Sequence, residues 1–421
     1  MLLKSKNNDK IQFMRDIFAL LIIIWCINPE QRFYNWWIYG IILLGWIGTV
    51  LLTDFELCIE KLVKPYILVL FLWPLTRSIL ALFGKASFSI YLFTVPFVYI
   101  LFWYYYHKEQ QIKRFFLESS ILYFILINAV SIGRLLINSN IARLLANGDK
   151  AKTEYLASPF TANYQHIYTL TLLIVAVLGI LKFCTGTKKR QTLNEIIIDR
   201  RLKIELLLFL ISGIVVVFMA QYSYAIIFII VFGGIIWFYK PIQKKEWVFI
   251  IVSCILIGCI LFSVLYIFAT IVDNKYLLER LNECLNLVFT GNLSKDKDVY
   301  KRLHLYLVSI NTFLKYPIFG IGGKVYLPST IVGGHSEFLD CLAYYGIVGF
   351  LSFVSVLIIN FRYVFKQIPN RVKYIYLITF LLFIVQSIIN TCYGEQFLIG
   401  LYFIIPLLLL EVTGKNKMER L

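Results

Sequence analysis

The chain has 421 residues, of which 60% are hydrophobic and only 15% are charged. A soluble domain of this length does not bury so large an apolar fraction, so the composition excludes a soluble globular protein and indicates a polytopic membrane protein. The formal net charge of +17 is not accompanied by a basic, aromatic nucleic-acid motif, and we expect no nucleic-acid partner.

Twelve apolar segments are long enough to cross a bilayer, which takes about 20 helical residues each. In chain order they cover residues 11–28, 35–53, 64–83, 87–106, 115–137, 166–184, 204–221, 223–239, 247–271, 340–361, 374–391 and 396–411. The first segment is followed by NPEQRF rather than a small-residue cleavage site, so we expect a retained anchor. The predicted fold is all-α, a single integral membrane domain over residues 1–421.

Lysine and arginine predict the orientation of these helices, because cytoplasmic loops carry an excess of both. If the twelve helices alternate, the most basic loops all fall on one side of the membrane. These basic stretches are residues 107–114, 185–203, 240–246, 362–373 and the C-terminal tail. The pattern predicts that both termini are cytoplasmic, and the excess charge predicts contact with anionic membrane lipids.

The longest predicted outer loop, residues 272–340, concentrates the polar residues and is the candidate for chemistry. It contains two segments with helical periodicity, and Pro317 ends the second before the turn FGIGG. His335 then follows two glycines at the predicted start of a helix, where the partial positive charge of the helix end favours a neutral imidazole. His335 is therefore either a proton acceptor or a cap, with the nearby glycines serving packing.

The stretches RLHLYLVSINTFLKYPIFGIGG and HSEFLDCLAYYGIVGF together resemble the signature of the O-antigen polymerase and O-antigen ligase superfamily. In that signature an arginine-bearing helix leads to a Pro-x-x-Gly-x-Gly turn and then to a histidine, two leucines and two glycines at fixed spacing. The matching residues are Arg302, Pro317, Gly320, Gly322, His335, Leu339, Leu342, Gly346 and Gly349. The resemblance also implies a GT-C-like arrangement of about twelve transmembrane helices with a partly helical outer loop.

The resemblance implies a bacterial inner-membrane glycosyltransferase that polymerises undecaprenyl-pyrophosphate-linked oligosaccharides at the outer face of the membrane. The implied transfer is inverting and needs neither a metal nor another cofactor. His335 is the implied base, and Arg302, with Arg280 as partner, is the implied pyrophosphate ligand. Arg77 and Arg134 lie in the outer parts of predicted spans and either join that site or reach to lipid head groups. A flippase and a chain-length regulator are further expected partners.

Two positions depart from the family pattern. Ser336 replaces the usual asparagine, and both residue types suit a helix start. Tyr224 stands where many members place an arginine shortly after a serine. Any pyrophosphate contact made by that arginine must be made here by another residue, or is absent.

Three other functions share parts of this pattern. An O-antigen-ligase-like enzyme would pass the glycan from the lipid carrier to a different acceptor. A polysaccharide flippase or transporter would share the topology, but its halves are usually related, and here the two halves differ. GKASFSIYLF faintly resembles a membrane acyltransferase motif, with Thr94 in place of the histidine expected there.

Overall fold

The computed structural model describes most of the chain. The described residues are 2–29, 36–57, 69–83, 95–138, 140–145, 160–186, 199–238, 298–322, 332–392 and 394–413, with the isolated positions 263, 266, 270, 278 and 282. Within these residues the protein is built from helices and turns, without strands. The predicted all-α polytopic fold is confirmed.

Twelve helices of at least ten residues organise the described part of the chain, besides a four-residue helix at Ile141–Leu144. They are α1 (Leu2–Ile27), α2 (Trp36–Leu57), α3 (Leu72–Phe83), α4 (Pro96–Tyr105), α5 (Gln110–Ile137), α6 (Tyr164–Gly186), α7 (Arg200–Met219), α8 (Ser223–Trp237), α9 (Asp298–Lys315), α10 (Glu337–Gln367), α11 (Lys373–Ile389) and α12 (Glu395–Thr413), the last widened by a π-helical turn at Gly400–Ile404. Six of them, α2, α5, α6, α7, α10 and α12, are long and apolar enough to cross a membrane.

Eleven of the twelve predicted spans coincide with one of these helices. The ninth, residues 247–271, lies outside the described residues apart from isolated positions, as do the starts of the third and fourth. The remaining helix, α9, is the second periodic segment of the predicted outer loop, and it ends at Lys315, two residues before Pro317. The first periodic segment of that loop lies outside the described residues apart from positions 278 and 282.

The bundle is centred on α6 and α12, which are the most buried of the six candidate spans. The outer helices keep large apolar side chains exposed, for example Ile41 and Leu44 on α2 and Leu126 on α5. Such a surface suits lipid chains rather than water. Inside the bundle, Asn128 on α5 joins α6 and α7 through His166 (3.2 Å) and Ser212 (3.1 Å). His166 therefore has a structural role.

One end of the bundle carries an ion-pair cluster around Asp54, near the end of α2. Asp54 pairs with Arg15 on α1 (2.9 Å) and with Lys108 after α4 (2.5 Å), and it accepts a hydrogen bond from Tyr104. Charged groups in such a partly buried position need partners. The cluster ties α1, α2 and α4 together at their shared end.

The ends of the helices group as alternation predicts. At the end opposite the Asp54 cluster, the start of α6 meets the end of α1, since the Asn163 side chain donates to the Pro29 carbonyl (3.0 Å). The start of α10 meets the end of α11 there, since the Glu337 amide donates to the Asn390 carbonyl (3.3 Å). His335 immediately precedes α10 and therefore lies at this end. Which end faces the cytoplasm stays a prediction.

Candidate functional site

The site is built around the His335 loop, residues 332–336, which leads into α10. Ser336 has extended backbone angles and caps the helix, because its Oγ accepts the amide hydrogen of Leu339 (3.3 Å). Serine thus serves at the position where the family usually has asparagine. Gly334 has a φ of +73°, which glycine adopts without strain. The cap and this glycine turn the chain sharply, so that His335 stands just outside the helix.

A buried carboxylate and hydroxyl hold this loop against α9. Ser309 of α9 donates to Asp340 Oδ1 (2.6 Å) and accepts the amide hydrogen of Gly333 (2.9 Å). The other carboxylate oxygen of Asp340 accepts the amide hydrogen of Ser336 (3.1 Å). Gly333 also lies so close to α9 that a Cβ there would fall 2.2 Å from the Leu305 carbonyl oxygen. The loop on both sides of His335 is therefore fixed.

The imidazole of His335 is half-buried and makes no hydrogen bond to any residue that the structure describes. Burial lowers its pKa, the positive charge of Arg302 lowers it further, and Asp340 acts in the opposite direction. The sequence predicted a neutral imidazole from the helix end. The pKa direction agrees with that prediction, although desolvation is its main cause. A neutral histidine with a free ring nitrogen can accept a proton.

Arg302 projects from α9 towards α8 and α11. Its Nη1 donates to Asn390 Oδ1 at the end of α11 (3.0 Å), and its guanidinium lies over the Tyr224 ring, 5.2 Å from the centroid. Tyr306, one turn further along α9, donates to the Ile389 carbonyl (2.8 Å). Tyr224, the residue that departs from the family pattern, therefore contacts Arg302 by a cation–π interaction. The contact with Asn390 uses one of the five N–H groups of the guanidinium.

The turn that follows α9 is inserted into a break in α10. At Gly346 the helix has φ +62° and ψ −166°, a conformation open essentially to glycine alone. The amides of Ile347 and Val348, which begin the second half of α10, donate to the carbonyls of Pro317 (2.9 Å) and Ile318 (3.2 Å).

The first half of α10 is capped by the same turn. The carbonyl of Ala343 accepts the amide hydrogen of Ile321 (3.1 Å). Both helix ends created by the break thus find partners in the Pro-x-x-Gly-x-Gly turn. The sequence assigned Gly346 only to helix packing, and the break was not predicted.

Arg77 and Arg134, the other predicted arginines that the structure describes, lie on different helices. Arg77 of α3 donates through Nε to the Tyr345 hydroxyl (2.6 Å), next to the break in α10. Arg134 is in the last turn of α5, and its side chain makes no hydrogen bond or ion pair with a described residue. Arg280 lies outside the described residues. Arg302 lies near enough to His335 for its charge to lower the pKa of that histidine. Arg77 contacts α10 further along the helix, at Tyr345, and Arg134 lies on α5.

An apolar groove opens beside Arg77. It has a volume of about 490 Å³ and lies between α3, the inserted turn and the second half of α10. Its lining residues are Thr76, Ile79, Leu80, Phe83, Phe319 and Val348. Arg77 follows the lining residue Thr76 on α3, and the lining residue Val348 follows the break in α10. A cation therefore lies next to an apolar groove.

Three contributors to the site carry no recognisable signal in the sequence. Ser309 is one polar residue of an amphipathic helix, and Asn390 is 88 residues from the arginine that it contacts. Asp340 is an acidic residue in the first turn of α10, and it lies 31 residues from the serine that it contacts. Among the described residues, no group of three or more His, Cys, Asp or Glu side chains could hold a metal ion.

Comparison with known families covers the region that forms this site. Residues 206–354 match the family model described as O-antigen ligase. That range runs from α7 into α10 and includes Tyr224, Arg302, the inserted turn and His335. The match confirms the resemblance that the sequence motifs carried. No curated protein matches the chain significantly.

Proposed function

Taking the match of residues 206–354 to the O-antigen ligase family as the premise, we propose that this protein polymerises undecaprenyl-pyrophosphate-linked oligosaccharides into a surface polysaccharide. The family match supports a membrane glycosyltransferase-like enzyme of polysaccharide biosynthesis. The observation that carries the proposal is that the matched motifs between residues 302 and 346 meet at one end of the bundle: Arg302 on α9, the turn inserted at Gly346, and His335 before α10. The product would be an O-antigen, a capsule or an exopolysaccharide.

In the proposed reaction His335 acts as the general base. An acceptor hydroxyl oxygen attacks the anomeric carbon of the donor sugar and forms the new glycosidic bond. The bond between that carbon and the phosphate oxygen breaks, and undecaprenyl pyrophosphate leaves with the electron pair. The hydroxyl proton passes to the neutral imidazole. Attack from the face opposite the leaving group inverts the anomeric centre, and no metal is required for this proton transfer.

Arg302 stabilises the departing pyrophosphate in this proposal. Its guanidinium is held at Nη1 by Asn390 and on one face by Tyr224, so its direction is fixed before the donor arrives. A fixed cation aimed at developing negative charge lowers the barrier without reorganising. Arg77, Arg134 and Arg280 are further proposed phosphate ligands, and of these Arg77 is supported by its position beside the break in α10.

The groove between α3 and α10 supports a lipid-linked donor. Its lining is almost wholly apolar, and Arg77 stands beside it. If a polyprenyl chain lay against Ile79, Phe83 and Phe319, its pyrophosphate would lie at the end of the bundle that contains Arg77. This arrangement favours a donor with an apolar chain and an anionic head.

We place the protein in a bacterial inner membrane, with the His335 end outside and both termini in the cytoplasm. The basic loops support this orientation. A flippase that delivers the donor and a chain-length regulator are proposed partners. An O-antigen-ligase-like transfer to a different acceptor fits the same family match and is the second candidate function.

The decisive experiment supplies the purified protein in lipid nanodiscs with one defined undecaprenyl-pyrophosphate repeat unit and no other acceptor. A ladder of lipid-linked products identifies a polymerase. Transfer of a single glycan to an added acceptor, without a ladder, identifies a ligase. Absence of transfer to either kind of acceptor refutes the proposed chemistry. Nanodiscs prepared in parallel from cells that lack the protein are the control for contaminating activity.

A further inference from the structure

Ser309 and Asp340 form a connected pair whose purpose the proposed reaction does not by itself explain. Both are almost fully buried, with 1% and 6% of their surfaces exposed. Their polar atoms serve the two flanks of His335, since Gly333 donates to Ser309 and Ser336 donates to Asp340. A buried carboxylate is costly unless its oxygens are satisfied, so this arrangement ties the carboxylate to one loop conformation.

The pair restrains a loop whose own sequence is flexible. Gly333 and Gly334 precede His335, and glycine lets a chain sample more conformations than any other residue. The hydroxyl of Ser309 both donates to Asp340 (2.6 Å) and accepts from Gly333 (2.9 Å), so α9, α10 and the loop share one network. Loss of either side chain would release the loop without removing His335.

The carboxylate also acts on the charge of His335. Two charged groups face the imidazole among the described residues: Arg302 from α9 and Asp340 from α10. Arg302 and burial lower the pKa of His335, whereas Asp340 raises it. A base that accepts a proton in the reaction becomes a cation, and a nearby carboxylate stabilises that cation.

We propose that Ser309 and Asp340 are positioning residues for His335, which hold its loop against α9 and stabilise the imidazolium formed when it takes the acceptor's proton. This assignment rests on the proposed function, because it presumes that His335 is the base. A purely structural role for the pair predicts loss of stability only. The proposed role predicts in addition a changed pH dependence.

The test compares three variants of the full chain in nanodiscs with the wild type: Asp340→Asn, Ser309→Ala and the control Ser355→Ala. Ser355 lies on a partly exposed face of α10, and among the described residues its hydroxyl bonds only to the Leu351 carbonyl. Transfer rate is measured from pH 4.5 to 9. In parallel, diethyl pyrocarbonate modification of His335 is followed by mass spectrometry over the same range, because only the neutral imidazole reacts.

Asp340→Asn should move the pH limb of both measurements to lower pH, because removal of the carboxylate lowers the pKa of His335. Its plateau transfer rate should fall by about 100-fold, the size of effect expected when a catalytic group is misplaced by about 1 Å. Ser309→Ala should lower the plateau rate without the downward shift, because the carboxylate remains. Ser355→Ala should resemble the wild type in both measurements.

Different results would overturn the electrostatic role, the positioning role and the proposed function. Unchanged pH dependence of His335 modification in Asp340→Asn overturns the electrostatic role, and a near-wild-type rate in Ser309→Ala overturns the positioning role. The positioning role stays testable even if Asp340→Asn folds poorly, because Ser309→Ala removes the hydrogen bonds to the loop and keeps the carboxylate. If the wild type transfers no glycan, the proposed function fails, while the modification experiment still reports whether Asp340 acts on His335.

Discussion

Substitution of Gly346 by alanine should detach the inserted turn from α10. An alanine Cβ would lie 2.3 Å from the Ile318 carbonyl oxygen and 2.6 Å from the Gly320 nitrogen, both of them backbone atoms that cannot rotate away. The φ of +62° with ψ near −166° adds backbone strain of about 1–3 kcal/mol for any residue with a Cβ. The turn can relieve the clash only by giving up its hydrogen bonds to α10.

The expected loss of stability follows from these contacts. Three backbone hydrogen bonds join the turn to α10, and each contributes about 1 kcal/mol. Together with the strain, the loss is about 4–6 kcal/mol, a large part of the roughly 5–15 kcal/mol that stabilises a typical domain. For a chain of this length it corresponds to a fall of about 5 °C in the melting temperature.

Thermal unfolding of the purified protein in detergent measures this loss, with Gly133→Ala as the matched control. Gly133 is a helical glycine of α5, and a Cβ added there would meet no atom within 4 Å, so the control should change stability by no more than about 1 kcal/mol. Equal melting temperatures for Gly346→Ala and the wild type would contradict the inserted turn. Transfer activity should fall with stability, since the turn connects α9 to the His335 loop.

Three further predictions concern the proposed chemistry. His335→Ala should fold normally and lose transfer by a factor of about 100–10,000, as for other general bases, and a near-normal rate would show that His335 is not the base. Arg302→Lys should lose much of the transfer rate and donor affinity, and Arg302→Ala should lose more, because a guanidinium binds phosphate with two hydrogen bonds. The control Lys301→Ala, at an exposed neighbouring residue, should lose little. Equal, near-normal activity in all three variants would show that the phosphate site lies elsewhere. In the wild type, the transfer rate should be constant above the lowered pKa of His335 and should fall as the pH drops through that pKa. A rate that continues to rise at pH values above about 7 would indicate that another group is the base.

Much of the fold could be predicted from the sequence, because apolar runs of about 20 residues have few alternatives to a membrane span. Helix α9 was equally accessible, since its apolar residues recur at helical spacing and Pro317 limits its end. The helix start after His335 was also readable, because serine at position 336 is a common cap. These features depend on residues close together in the chain.

The rest of the site depends on contacts between distant segments, which spacing does not reveal. Asn390 reaches Arg302 only because the end of α11 packs beside α9. The break at Gly346 was missed because a glycine in an apolar run looks the same whether it serves close packing or a positive φ. The turn that packs against Gly346 in the structure shows that this glycine serves a positive φ. Arg77 likewise gained its position beside α10 from packing between helices rather than from any motif.

The inserted turn and the Ser309–Asp340 pair have a joint consequence for where the chain tolerates substitution. Residues 323–331 connect the turn, fixed to α10 at Gly346, with the His335 loop, fixed to α9 at Ser309. Both contacts are made by described residues on either side of this segment, and neither involves the segment itself. Substitutions confined to residues 323–331 should therefore leave the hydrogen bonds of the inserted turn and of Ser309 in place.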